Sequence, residues 1–252
     1  MRRVSAKSIC DAWALGAAAA ARRDRASTSR SWVSARSAST CGDGWDRLSI
    51  TSRVLVTLGF DGSRFDDATA IVMTEVETGH QSLIGLWEKP PTADPDWEVP
   101  EAEVDDTIHE AFERWSVWRL YADPRWWESW IATWAGEWGK ERVIAWYTGR
   151  LSQMAYALRS FATAIQAEEL SHDSNEDLSR HIGNACRRTL NLRDAEGERL
   201  WVIQKERPDS PFKIDAGMAA VLSWEARNDA ITAGAKAEEP SVYEERGIVL
   251  IG

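Results

Sequence analysis

The sequence predicts an α/β protein with a mixed sheet flanked by helices, and two observations carry that expectation. Three apolar runs follow one another across short turns between residues 53 and 89, the pattern of an antiparallel meander. Beyond them, short apolar runs alternate with stretches of helical periodicity, which adds strands by crossover and covers the sheet with helices.

The run "RVLVTLGF" from residue 53 is rich in β-formers and reads as a buried strand. "DGSRFDD" is turn chemistry, "ATAIVMTEV" is the second strand, "ETGH" a hairpin turn and "QSLIGLWEK" the third strand. The segment "PPTADPDWEVP" holds four prolines and is a loop. A helix is expected over 101–115, where Ile108, Ala111, Phe112 and Trp115 share a face. "VWRLYAD" is the fourth strand, and a helix follows from Pro124 with Trp127, Trp130, Ile131 and Trp134 at helical spacing. "RVIAWY" is the fifth strand. Helices are expected over 150–168 and 175–188, a hairpin turned at "DAEG" after them, and a last helix from Asp215.

Charge divides the chain. The net charge is −10, yet residues 1–50 hold 9 Lys and Arg against 4 Asp and Glu, with 11 Ala, 9 Ser and 8 Arg. We expect 1–52 to be a disordered basic leader, because that composition buries too little surface to offset ordering entropy. A signal peptide is disfavoured by Asp11 and by the "RRDR" that closes the Ala run, and a basic arm touching DNA is the other reading. The folded domain is expected over 53–234 and an acidic tail over 235–252. Cys10, Cys41 and Cys186 form no CxxC pair, which suits a reducing cytosol and suggests neither a disulfide framework nor a zinc ribbon. No run of 18 apolar residues predicts a membrane span.

Three acids stand at element ends: Asp61 after the first strand, Asp123 after the fourth, and Asp215 opening the last helix. Clustered carboxylates repel unless hard cations lie between them, and two Mg²⁺ or Mn²⁺ ions so held would serve phosphodiester hydrolysis. An Asp at a strand end is also an ordinary turn or cap residue, and forty acids make such placements common.

The segments around these acids decide between the readings. "VTLGFDGSRFDDATAIV" resembles the opening of the nuclease domain of phage large terminase subunits. "RLYADPRWWESWIATWAGEWG" is similar to the segment carrying the second acid, "LSHDSNEDLSRHIGNA" to the stretch before the third, and "SPFKIDAGMAAVLSWEA" to the closing segment. The resemblance runs in order over 53–230. It implies a ribonuclease-H-like sheet and a Mg²⁺- or Mn²⁺-dependent endonuclease that cuts concatemeric phage DNA during packaging. It also implies metal ligation and catalysis by Asp61, Asp123 and Asp215. Double-stranded DNA is the implied partner, with a terminase small subunit and portal beside it, in the host cytoplasm. Asp66, Asp67 and Glu128 are secondary candidates.

The chain departs from that family in one respect. A large terminase carries an ATPase motor, and no GxxxxGK[ST] loop occurs here; "GEWGKE" at 136–141 lacks the spacing and the hydroxyl. The expectation is the nuclease portion alone, whether a split gene product, a prophage remnant or a mis-called reading frame. A resolvase- or transposase-like nuclease, a catalytically silent remnant and a DNA-binding packaging module stay open as alternatives. His109, His172 and His181 show no zinc spacing. Arg150, Arg187, Arg188, Lys205 and Lys213 are candidate phosphate contacts, with solvated faces as the simpler reading.

Overall fold

The protein is described by a computed structural model over residues 53–94 and 96–237. The expected leader at 1–52 and most of the acidic tail lie outside the described residues.

Strands β1 (Leu55–Asp61), β2 (Thr69–Glu75) and β3 (His80–Trp87) form the expected antiparallel meander. Strand β4 (Ser116–Ala122) joins β1 in parallel, and β5 (Val143–Ala145) joins β4 in parallel. A two-residue strand β6 (Ser171–His172), which is too short to leave a sequence signal, pairs with β3. The sheet order is β5-β4-β1-β2-β3-β6, a mixed sheet. Strands β7 (Cys186–Arg193) and β8 (Arg199–Gln204) make a separate hairpin, turned at Asp194–Gly197 with Gly197 at φ 83°.

Helices α1 (Glu101–Arg114) and α2 (Glu128–Trp138) cover one face of the sheet. Helices α3 (Leu151–Gln166), α4 (Glu176–Gly183) and α5 (Asp215–Thr232) lie on the other. The two-residue period of a strand assigns side chains to these layers. Val56, Leu58 and Phe60 of β1 pack toward α1 and α2 with Ile71 and Met73 of β2. Thr57, Gly59 and Asp61 therefore face α5.

Helix α5 lies unusually close to β1. A Cβ on Gly59 would stand 2.0 Å from the Ala219 carbonyl oxygen and 2.4 Å from the Ser223 nitrogen. The helix answers with small residues, since Ala216, Ala219, Ala220 and Ser223 are all fully buried. The side-chain donors of that seam are paired, although Gln81 Oε1 is buried without a hydrogen-bond partner. The Thr57 hydroxyl donates to the Ser223 carbonyl at 2.8 Å, and the Gln81 amide donates to the Ala220 carbonyl at 2.9 Å. The Thr74 hydroxyl reaches Ser223 Oγ at 2.7 Å. Each bond spares a buried group its desolvation cost of about 1–3 kcal/mol.

Two helices differ from expectation. The second begins at Glu128 rather than Pro124, because Trp126 at φ 71° interrupts helical backbone. A left-handed conformation costs a residue with a Cβ about 1–2 kcal/mol, and here it sends Trp127 inward, where it is 1% exposed. The helix expected to 188 stops at Gly183, because Cys186 onward pairs with β8, so tertiary pairing overrides local helix preference.

The seam sets a test. We expect Gly59→Ala to destabilise the fold by about 3 kcal/mol, the upper end of overpacking costs. A urea midpoint unchanged from wild type would show that α5 can slide off β1 at no cost.

Candidate metal centre

Register places the three acids. Phe60 pairs with Ala122 across the parallel β1–β4 ladder, and the Asp123 N–H donates to the Phe60 carbonyl at 3.0 Å. Asp61 and Asp123 are thus neighbours at the carboxyl ends of adjacent strands. Tyr121 packs into the α5 layer and its hydroxyl hydrogen-bonds Asp229 of α5, so Asp123, two residues on, points to that same layer. Asp215 reaches the site from the helix. Ala219 and Ser223 lie against Gly59, and four helical residues span about 6 Å, close to two strand residues. One helical turn before Ala219 therefore brings Asp215 level with Asp61.

Electrostatics agree with this placement. Burial, then the negative charges of Asp215 and Asp123, push the half-buried Asp61 carboxyl well above the ordinary carboxylate range. Lys205 and Arg125 pull against that rise. Burial also raises Asp215, which is 8% exposed, against the pull of Lys205 and Lys213. Asp123 is held by the Thr148 hydroxyl, which donates to its Oδ2 at 2.6 Å from the loop after β5.

The secondary acids behave differently. Asp67 is the shared partner of two ammoniums, Lys205 in an ion pair and Lys213 at 3.0 Å. Asp66 is well exposed and meets Lys89 at 3.4 Å, while Glu128 opens α2 as an exposed residue. Of the five candidate phosphate contacts, Lys205 and Lys213 come to the acids. Arg187 stacks on Trp201 and Arg150 on Tyr147. Burial and the neighbouring Lys213 lower Lys205 below the usual ammonium range. Arg125 and Thr148 carry no sequence signal; only the register of β1, β4 and β5 brings them here.

The donor set suits a hard divalent cation: three carboxylates on one sheet face, with Asp61 under strong repulsion that such a cation would relieve. Among the described residues, no group of three or more His, Cys, Asp or Glu side chains stands close enough together to hold a metal ion as placed. The acids converge without yet meeting at one point.

The histidines are structural partners. His109 lies between Asp105 and Glu137, and His172 Nδ1 accepts from the Ser174 N–H. His181, fully buried, accepts the Ala216 N–H on Nδ1 at 3.0 Å and meets Glu88 through Nε2 at 3.1 Å. It thereby holds the first turn of α5.

The large terminase of bacteriophage HK97 superposes on 70% of this chain and 40% of its own, at TM-score 0.52 and 19% identity. The fold is shared with a phage large terminase. The large terminase nuclease domain of Thermus phage P74-26 aligns with 70% of this chain and 83% of that domain, at 14% identity and TM-score 0.49. In sequence, the gene 13 protein of mycobacterium phage L5 is 32% identical over 183 residues, 69% of this chain. The matched stretch is 29% of that relative's length, so the chain spans under a third of it. No protein-family model matches. The sheet carries the meander at its centre, with β4 and β5 added in parallel at its β1 edge and β6 in parallel at its β3 edge. Among the described residues, no helix is long and apolar enough to cross a membrane.

His181 gives the terminase-type fold an acid-sensitive point. Burial holds the imidazole below its ordinary value of 6.5, although Glu88 pulls the other way. The unfolded chain then binds the proton more readily than the fold does, so stability falls as pH drops through about 6.5 toward the folded value. We expect His181→Gln to flatten that part of a stability–pH curve, and an unaltered slope in chemical denaturation would refute the assignment.

Proposed function

We propose that this chain is a divalent-metal-dependent DNA endonuclease of large-terminase type. The observation that carries the reading is the convergence of Asp61, Asp123 and Asp215 on the α5 side of the sheet, at the carboxyl ends of two parallel strands. The terminase-type fold supports it, and the sequence kinship with the gene 13 protein of mycobacterium phage L5 supports a phage context.

Asp61, Asp123 and Asp215 would hold two Mg²⁺ or Mn²⁺ ions. When bound, such ions supply Lewis-acid stabilisation of the charge that grows on a phosphodiester under attack by water. The chain's own residues do the rest. Thr148 fixes the rotamer of Asp123 through its hydrogen bond. The His181–Ala216 bond fixes the helix start that carries Asp215. Lys205 and Lys213, paired on Asp67, stand ready to exchange that carboxylate for a backbone phosphate and seat the DNA. In this reading the substrate is double-stranded phage DNA, cut from concatemers during packaging. The partners in this reading would be a terminase small subunit and a portal, in the host cytoplasm.

Plasmid nicking with Mg²⁺ or Mn²⁺ tests the centre. We expect Asp61→Asn, Asp123→Asn and Asp215→Asn each to reduce the rate about 100-fold or more, the scale for losing one transition-state-stabilising group. A wild-type protein inert with both metals would overturn the enzyme reading, and cleavage surviving all three changes would overturn the site. The lysines have a separate signature. Lys205→Ala and Lys213→Ala should each weaken DNA binding and lower the salt slope of log affinity by about one. An unchanged slope would remove the lysines from the DNA path.

A further inference from the structure

Two loops leave the sheet at the acid edge, and each presents an arginine followed by an aromatic ring. The loop after β1 offers Arg64 and Phe65; the turn after β4 offers Arg125 and Trp126. The rings meet edge to face, 6.2 Å apart and inclined by 77°. Both face solvent, Phe65 at 44% and Trp126 at 54% exposure. Each guanidinium sits 5.9 Å from the ring beside it, that of Arg64 while paired with Glu98 at 3.1 Å and Glu101 at 3.7 Å. The seat is built rather than accidental. Gly62 is pressed so tightly on Trp127 that a Cβ would stand 2.4 Å from its indole nitrogen, which locks one loop against the other. Trp126 holds its outward course through a left-handed φ of 71° that glycine or asparagine would adopt more cheaply. The same turn that buries Trp127 leaves the Trp126 ring outside, against Phe65.

Its chemistry selects the ligand. Flat apolar rings with cations at their rims match a nucleobase joined to a phosphate, and base–aromatic stacking is the main holding force for unpaired strands. Within a duplex the base faces are already stacked on each other, so only an unpaired base can use these rings. Phe65 and Trp126 follow Asp61 and Asp123 by four and three residues on the same two loops, which places the rings near the acids. We propose that Phe65 and Trp126 form a stacking platform for an unpaired nucleobase next to the cut, so the site engages locally opened or single-stranded DNA. The position of that base relative to the cut rests on the nuclease reading above; the binding itself does not.

Binding of labelled oligonucleotides in EDTA, read by fluorescence anisotropy, separates the two. The probes are a single strand of about 20 nucleotides and the blunt duplex of the same sequence, long enough to exceed common single-strand site sizes. We expect Phe65→Ala and Trp126→Ala to weaken single-strand binding by about 5- to 150-fold, the range of one stacked base. Duplex binding should stay within twofold of wild type, and Trp126→Phe should keep most of the affinity. Trp126→Asn suits the left-handed backbone, so its melting temperature should equal or exceed wild type while single-strand affinity falls. A purely structural role for Trp126 gives the reverse pattern and would sink the proposal. So would alanine variants that bind single strand as wild type does, even if plasmid is nicked. Conversely, single-strand binding that falls in both variants of a protein unable to nick plasmid keeps the platform and removes the nuclease.

Discussion

The structure depends on one close approach, that of α5 to β1 at Gly59. The helix backbone touches the strand backbone where a side chain would otherwise stand, and small buried residues on α5 keep that contact along the helix. Dispersion and burial of so many small groups make the seam dense, and the Thr57, Thr74, Gln81 and Ser223 hydrogen bonds give it a single register. Because the seam is rigid, the start of α5 is set relative to the end of β1. Asp215 and Asp61 are neighbours for that reason, although 154 positions separate them in the chain.

The fold was largely legible in the sequence because its signals are local. The meander, both crossovers and the "DAEG" hairpin each follow from apolar periodicity and turn residues that sit side by side in the chain. What escaped was decided at a distance. Cys186 and its followers look helical until β8 offers a partner, and β6 exists only because β3 has a free edge for two residues. Trp126 reads as part of a helix from spacing alone, yet its backbone turns left-handed because Trp127 must reach the buried side of the same turn.

The site was legible as residue types, and less so as geometry. Asp61 and Asp123 could be read as strand-end acids, and the resemblance around them named the pair. Their adjacency needed the β1–β4 register, in which the Trp118 bulge restores the facing of Tyr121 and Asp123. The positive groups were invisible as a set. Lys205, Lys213 and Arg125 come from a hairpin end, a loop and a turn, and no spacing in the sequence links them to each other or to the acids.

That mixed set of charges resolves the puzzle of an acidic protein proposed to handle DNA. A net charge of −10 describes the far field, which salt screens within about 8–10 Å. What a bound phosphate meets is local: ammoniums of Lys205 and Lys213 sharing the single carboxylate of Asp67, with Arg125 nearby. Two like charges on one counter-ion are held at a cost: burial, and then the neighbouring Lys213, lower the hold of Lys205 on its proton. A second anion relieves that cost. A DNA phosphate is such an anion, and the acids two strand-ends away then need cations of their own for the phosphate to come close. Divalent ions and DNA would therefore each make room for the other, and the acidity of the domain becomes part of how it would bind both.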